Sequence, residues 1–275
     1  MVGILILRER LIKMKTHLFK IECLTNLHVG SGDLNYNIID NEVEKDPSTM
    51  LPIIHASGVK GALREHLTGV LTDTALNRIF GKPSSQDSFG AGSCKFFDAR
   101  MLSRPMRVAD SYTMASIPVV TAASVNDFLR QLNVFGCNPF GVDQVNITRE
   151  MFGDKQFLTN VRGIRIEGEP TGKIPEEIER ELLKLKCLLG ETFAIAGSFQ
   201  DYDLPVLARN CLENGESKNL WYEEVVPHGS VFWLLVMMPE EERELNMTGI
   251  VQFGGNASIG CGFTRVMEIA EGEHE

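Results

Sequence analysis

Ser57-Gly58-Val59-Lys60-Gly61 is the stretch of this 275-residue chain whose residue types and spacing point most directly to chemistry. Ser57 is expected to cap a helix, with Val59, Leu63 and Leu67 giving helical spacing behind it. Lys60 and Arg64 lie four apart, so both project from one face of its first turns. Gly58 and Gly61 let another backbone come close. A helix N-terminus with unpaired N–H groups, small residues and two cations suits a phosphate. An ordinary capped surface helix would show the same spacing.

Other groups could take part in the same chemistry. His28 closes a strand-like run and precedes a Gly-rich turn, Val29-Gly30-Ser31-Gly32; a histidine there is more often structural than functional. The loop that follows carries Asp33, Asp40, Glu42, Glu44 and Asp46, which by themselves read as a solvated acidic loop. Arg100, Arg104 and Arg107 follow Phe96-Phe97-Asp98 and are placed either to grip phosphates or to pair with the many carboxylates. Gly254, Gly255, Gly260 and Gly262 form a glycine-rich loop whose backbone N–H groups could approach phosphates, or which is simply a tight turn. Its spacing is not that of a dinucleotide fingerprint.

The elements that must position these groups come from periodicity. Residues 16–27 alternate as a strand, and residues 57–71 form the helix just described. Residues 83–93 read as a loop and 93–98 as a strand with the arginines at its exit. Val125, Phe128, Leu129 and Leu132 mark a helix over 123–134; residues 136–160 look irregular, and 161–168 alternate as a strand. Pro175 opens a helix near its first position, with the stripe Ile178, Leu182, Leu185 and Leu189, and Gly190 beyond its end. Residues 230–238, SVFWLLVMM, read as a central strand, and Phe263–Ile269 as the last one. This interleaving predicts an α+β fold with an antiparallel sheet.

Composition limits the classes. Apolar residues make up 43% and the mean hydropathy is −0.05, as in soluble globular proteins. Gly3–Leu7 is too short for a signal core, and nothing approaches the roughly 20 apolar residues of a membrane span. The six cysteines contain no CxxC pair, which predicts reduced thiols in a cytoplasm and no zinc site. The net charge of −10 speaks against a nucleic-acid binder, but it is uneven. Residues 57–107 hold eight basic residues against four acidic ones, a local excess of four, so the remainder carries −14. A basic strip on an acidic body is able to hold RNA. Met14 is the expected natural start, with residues 1–13 an extension and 14–275 a single domain.

Three stretches together resemble a known family. "LHVGSG…IID", continued by "P.I..SGVKGALR", resembles the N-terminal signature of the RAMP superfamily of CRISPR proteins. Phe96-Phe97-Asp98-Ala99-Arg100-Met101-Leu102, with Pro105 and Arg107, resembles a segment of the repeated backbone subunit of type III-B effector complexes. Gly254–Phe263 resembles the superfamily's C-terminal glycine loop. The type III-A counterpart is the near alternative. The resemblance implies a ferredoxin-like, RRM-like antiparallel sheet with helices on one face, plus a thumb hairpin inserted around 195–222. It implies a backbone subunit that binds guide CRISPR RNA, stacks head to tail with copies of itself and other effector subunits, and cuts complementary target RNA at regular intervals. Asp40 stands where the family has its cleavage aspartate, and it would be the ligand of a divalent metal, Mg²⁺ or Mn²⁺. Tyr222 and Glu224, in a "WYEE..P" segment, and His28 join it as candidate catalytic residues; Ser57, Gly58, Lys60, Arg64, Arg100, Gly255 and Gly260 are the candidate RNA contacts. Glu42 and Glu44 depart from the more basic type III-B pattern after the aspartate. A non-catalytic RNA-binding subunit, or a stand-alone guide-processing nuclease using His28 as base, are the rival readings.

Overall fold

The computed structural model describes residues 14–30, 39–82, 90–200, 202–242 and 245–270. The expected extension 1–13, Asp33, residues 83–89 of the expected loop and the acidic tail 271–275 lie outside them. In chain order the elements are β1 (Met14–Cys23), β2 (Ile53–Ile54), α1 (Ala56–Leu67), α2 (Asp73–Phe80), β3 (Lys95–Phe96), β4 (Ala99–Ala109), β5 (Ser116–Thr121) and α3 (Ala122–Val134). There follow β6 (Phe157–Thr159), β7 (Arg165–Ile166), β8 (Glu169–Lys173), α4 (Glu176–Leu183), α5 (Lys186–Leu189) and β9 (Ala194–Ala196). The chain ends with β10 (Val206–Glu213), β11 (Glu216–Glu224), β12 (Val231–Pro239), β13 (Gly249–Gln252) and β14 (Phe263–Ile269).

The fold is mixed α+β. One sheet runs β13-β14-β1-β12-β4-β5-β9-β6-β8-β7, with β2 against β4 and β3 against β12. The β14-β1-β12-β4 core is antiparallel throughout. β10 and β11 form a separate two-stranded hairpin.

Strand alternation explains why the apolar run of β12 has no polar break. Phe232, Leu234 and Val236 join a core with Phe19 and Ile21 of β1 and with Val59, Leu63 and Leu67 of α1. Trp233 and Leu235 point the other way, into a second core with Leu18 of β1, Val125, Phe128 and Leu129 of α3, and Leu182 of α4. A strand buried on both faces reads as continuously apolar. Helices therefore cover both faces of the sheet, not one as the resemblance implied. Each fully buried large side chain of β12 contributes roughly 1.5–3 kcal/mol. A third cluster, with Met106, Val108, Ile117, Phe157 and Ile166, fills the lobe beyond the midpoint of β4.

Other expectations shift with tertiary context. The strand expected over 161–168 is confined to Arg165–Ile166, because Gly163 (φ 75°), Glu167 (φ 49°) and Gly168 (φ 87°) turn the chain around it. Pro175 sits at the N-cap of α4, not inside it. The stripe Ile178–Leu189 is buried as expected, but the helix breaks between Leu183 and Lys186. The arginines 100, 104 and 107 belong to the eleven-residue β4 itself, not to the exit of a shorter strand. The helix α2 was not expected; Thr72 caps it by accepting the Ala75 N–H at 3.3 Å, and Leu76, Ile79 and Phe80 are its buried face.

Candidate nucleic-acid interface

Three segments distant in sequence meet where β11 ends. Leu27 exchanges backbone hydrogen bonds with Val226 (2.9 and 2.8 Å), which brings His28 beside the root of the β10–β11 hairpin. The His28 Nδ1 donates to the Glu224 carbonyl at 2.8 Å, and the residue is buried. Residues 40–46 then run along the end of β11. Asp40 and Asn41 both donate their backbone N–H to the Tyr222 carbonyl at 3.1 Å, and Glu224 N–H returns to the Asn41 carbonyl at 2.9 Å.

Asp40 is exposed, and held at two points. Besides its backbone bond, its Oδ2 accepts the Tyr222 N–H at 2.8 Å. The carboxylate is thus fixed on the hairpin root with no cation paired to it among the described residues. Tyr222 itself is 38% exposed. Glu224 is in the opposite state. It is buried; its Oε1 takes the Lys45 ammonium at 2.9 Å and its Oε2 the Val43 N–H at 3.0 Å.

Between them stands Glu223, which is not among the candidates that sequence alone provides. It is 6% exposed. Its Oε1 accepts the Trp221 indole N–H at 2.9 Å and the Asn41 amide at 3.5 Å. Its Oε2 accepts Arg209 Nε at 2.9 Å and Asn256 Nδ2 at 3.1 Å. Arg209 and Trp221 face each other across the hairpin, so strand alternation places them on the side that Glu223 shares. Burial pushes the Glu223 carboxyl up, but the Trp221 and Arg209 donors and the Arg209 charge outweigh it and hold the group below the usual carboxylate range. One signal was available: an indole N–H that leaves solvent needs an acceptor, and Glu223 is its neighbour two residues on.

The glycine-rich loop joins the same site through Asn256, which adopts a left-handed conformation (φ 63°). Gly254 (φ 73°) permits a close approach, since a Cβ there would lie 2.2 Å from the His28 carbonyl oxygen. The two glycine N–H groups expected to meet phosphate are already used. Gly255 donates to the His28 carbonyl at 3.0 Å, and Gly260 to the Ala257 carbonyl at 3.0 Å.

The α1 terminus also differs from expectation. The helix begins at Ala56 and its N-cap is His55; Ser57 is inside the first turn and makes no cap. The Ala56 N–H is taken by the Asp98 carboxylate at 2.7 Å, and His55 lies 3.3 Å from Glu44 and 3.7 Å from Asp98. Arg64 does not share a phosphate-facing surface with Lys60. It donates to the Gly81 carbonyl and to Asn77 Oδ1, both at 2.8 Å, and so fastens α1 to α2. Ser57 and Gly58 are exposed, and the Lys60 ammonium has no ion-pair partner among the described residues. On β4, Arg100 pairs with Asp127 (2.9 Å) and Asp46 (3.5 Å), and Arg107 with Glu167 (3.8 Å). For these two, the carboxylate alternative describes the geometry.

No group of three His, Cys, Asp or Glu side chains able to hold a metal ion occurs among the described residues. Asp40 shares one oxygen with a backbone N–H, while Glu223 and Glu224 are filled by their own donors. Of these three carboxylates, Asp40 is the one with an oxygen that takes no hydrogen bond among the described residues. No described helix is long and apolar enough to cross a membrane.

Residues 20–265 match the RAMP superfamily, and the chain belongs to that superfamily. Within it, the chain is 24% identical over 301 residues to the CRISPR system Cmr endoribonuclease Cmr4 of Pyrococcus furiosus, across 92% of this chain and 95% of that protein. Solved structures share the fold at lower identity. A chain of the type III-B Cmr-beta complex in its apo state superposes with a TM-score of 0.70 at 19% identity, covering 94% of this chain and 98% of that one. The crystal structure of oligomeric Cmr4 from Pyrococcus furiosus gives 0.69 at 20% identity, covering 93% and 98%.

Proposed function

We propose that this chain is the repeated backbone subunit of a type III-B CRISPR ribonucleoprotein and the endoribonuclease that cuts its target RNA. It would work in the cytoplasm, on a guide CRISPR RNA, beside copies of itself in a head-to-tail filament and with other effector subunits. Relatives support this reading: one is named a Cmr endoribonuclease, and one solved structure is a Cmr-beta complex bound to cognate target RNA, similar to this chain with a TM-score of 0.71. The order β14-β1-β12-β4 supports a ferredoxin-like core in which β13 lies between β12 and β14 in the chain, where that fold has its second helix. The hairpin Val206–Glu224, overlapping the expected 195–222, is the element we assign as the thumb.

The observation that carries the proposal is the exposed Asp40 carboxylate clamped to the hairpin root by both backbone and side chain. RNA strand cleavage by its own 2′-hydroxyl needs that oxygen in line with the leaving 5′-oxygen, and a group to take its proton. With Asp40 as that group, the O2′–P bond forms, the P–O5′ bond breaks, and solvent protonates the leaving oxygen. Tyr222 stands beside the reacting strand, while His28 and Glu224 act one step back, holding the hairpin root and the 40–46 loop together. Lys60 and the Ser57 and Gly58 N–H groups take RNA phosphates. The Mg²⁺ or Mn²⁺ expected from the resemblance has one protein ligand here, Asp40, so it would arrive on the RNA phosphates.

The test is target-RNA cleavage by the reconstituted complex. Asp40→Asn keeps an oxygen for the Tyr222 N–H but removes the base. Cleavage is expected to fall by roughly 10²–10⁴ with guide RNA still retained. An unchanged cut pattern would establish the non-catalytic reading instead.

A further inference from the structure

The turn between β4 and β5 carries the most exposed aromatic side chain among the described residues. Tyr112 is fully exposed, whereas Tyr222, the next in rank, is 38% exposed. A bare ring forgoes the roughly 150–250 Å² of burial that aromatic side chains can contribute. The turn that presents it is held by its own bonds. Ser111 Oγ accepts the Thr113 and Met114 N–H groups at 3.4 and 3.2 Å, and Val108 N–H donates to the Ala115 carbonyl at 2.9 Å. Met114 packs on the third core cluster. Asp110 opens the turn in a left-handed conformation (φ 63°), exposed and without an ion pair among the described residues.

One exposed ring needs no explanation on its own. The opposite end of β5 supplies one. There Thr121 pairs in parallel with Ala196 of β9, and Phe157 of β6 pairs with Ala196 from the other side. Beyond this row lies a cavity of about 650 Å³, with Ile147 and the buried Phe152 among its apolar lining. Its charged lining is Arg149, Lys155 and Asp154; Glu150 is not part of it. Lys155 and Asp154 pair at 3.0 Å, which leaves the exposed Arg149 without an ion pair among the described residues. The six residues of β5, at about 3.3 Å each, put ring and cavity roughly 20 Å apart, so a chain does not fill its own cavity. A copy displaced along β5 presents Tyr112 to the cavity and Asp110 to Arg149. Such a contact joins two different surfaces and repeats without closing.

We propose that Tyr112 of one copy seats in the Phe152 cavity of the next, with Asp110 against Arg149. The inference rests on the backbone-subunit reading above and adds a joint that uses neither RNA nor the β10–β11 hairpin. It is tested in the reconstituted complex with p-benzoylphenylalanine at position 112, assembled from isotopically light and heavy copies. Irradiation is expected to join light to heavy copies through peptides within residues 147–156. In Tyr112→Ala the protein concentration at which copies enter the complex should rise at least about tenfold, the loss of an aromatic anchor. Its unfolding midpoint should not move, since the ring touches nothing in its own chain. Asp110→Asn, which accepts φ 63°, and Arg149→Gln should each raise that concentration severalfold, and together no further than either alone, because they remove one pair.

A complex that assembles with several copies but gives no crosslink from position 112 to these peptides overturns the joint and leaves the backbone-subunit reading standing. So does a double variant in which the Asp110 and Arg149 losses add. Crosslinks from position 112 to RNA or to another protein of the complex would assign the ring to that partner and overturn the second copy as its occupant. A complex that takes up a single copy overturns both the joint and the reading it rests on.

Discussion

The root of the hairpin and the N-terminus of α1 are made of the same materials: carboxylates, cations and asparagines on short loops. They end in opposite states. At α1 the polar groups are spent on joining elements. Asp98 takes the first helical N–H, His55 lies between Glu44 and Asp98, and Arg64 fastens the next helix, which leaves Lys60 over. At the hairpin root, Glu223 and Glu224 absorb Arg209, Lys45, Trp221 and two asparagines, which leaves Asp40 over. A charged residue becomes available to a ligand when its neighbours satisfy one another. Lys60 and Asp40 are the remainders of two such networks, one positive and one negative.

If that contrast is right, the networks must fail when a hub is removed and not when a remainder is. The largest effect is expected at Glu223. In Glu223→Ala the part-buried Arg209 loses its only described carboxylate, and the Trp221 and Asn256 donors lose their acceptor. The expected cost is about 3 kcal/mol in urea unfolding, and the hairpin should gain protease sensitivity. Glu223→Gln keeps an acceptor oxygen and should lose less. The pH dependence has a defined sign. The folded carboxyl is held below its ordinary value, so its contribution is complete above the unfolded-state pKa of about 4.3 and is lost as pH falls toward the lower folded value. The stability gap between wild type and Glu223→Gln should therefore be constant near neutrality and close on acidification. A gap that persists to pH 3 would show that the charge is not what Glu223 supplies.

A smaller effect separates the expected cap from the observed one. Asp98→Ala removes the acceptor of the Ala56 N–H and should cost about 1 kcal/mol. Ser57→Ala should change stability little, because Ser57 makes no cap bond. The reverse ranking in thermal unfolding would restore Ser57 to the role its sequence position suggested.

How much was readable in advance follows the same division. An unbroken apolar run located β12, and periodicity located β1, α1, α3 and β14, because their apolar faces repeat over two turns or more, or over several alternations. It missed α2, which is only eight residues long, and it joined α4 and α5 into one helix because the buried stripe continues through the break. Site chemistry was less accessible. The capping group of α1 comes from residue 98, 42 positions away, and the acceptors of Arg64 come from 13 and 17 positions away. No local pattern encodes those pairings. Asp40 was singled out through a resemblance, and its two-point clamp to Tyr222 spans 182 positions. Glu223 lies between two of the candidate residues, and it takes alternation carried across the hairpin to Arg209 and Trp221 to mark it out.

The smallest predicted effect is the sharpest test of the remainder idea, since it asks two neighbouring cations on one helix to behave differently. Lys60 has no ion pair among the described residues, so Lys60→Ala should leave the unfolding midpoint nearly unchanged. Its loss should appear in RNA binding: a modest drop in affinity, and a slope of log K against log salt that is shallower by about 0.7–0.9, the signature of one phosphate contact. Arg64→Ala should do the converse. Two hydrogen bonds to α2 and its C-terminal Gly81 disappear, for a stability loss of about 1–2 kcal/mol, while the salt slope stays that of the wild type. If both variants lower the slope equally, Arg64 releases its partners to reach RNA, and the α1 network is a store of phosphate ligands rather than a joint.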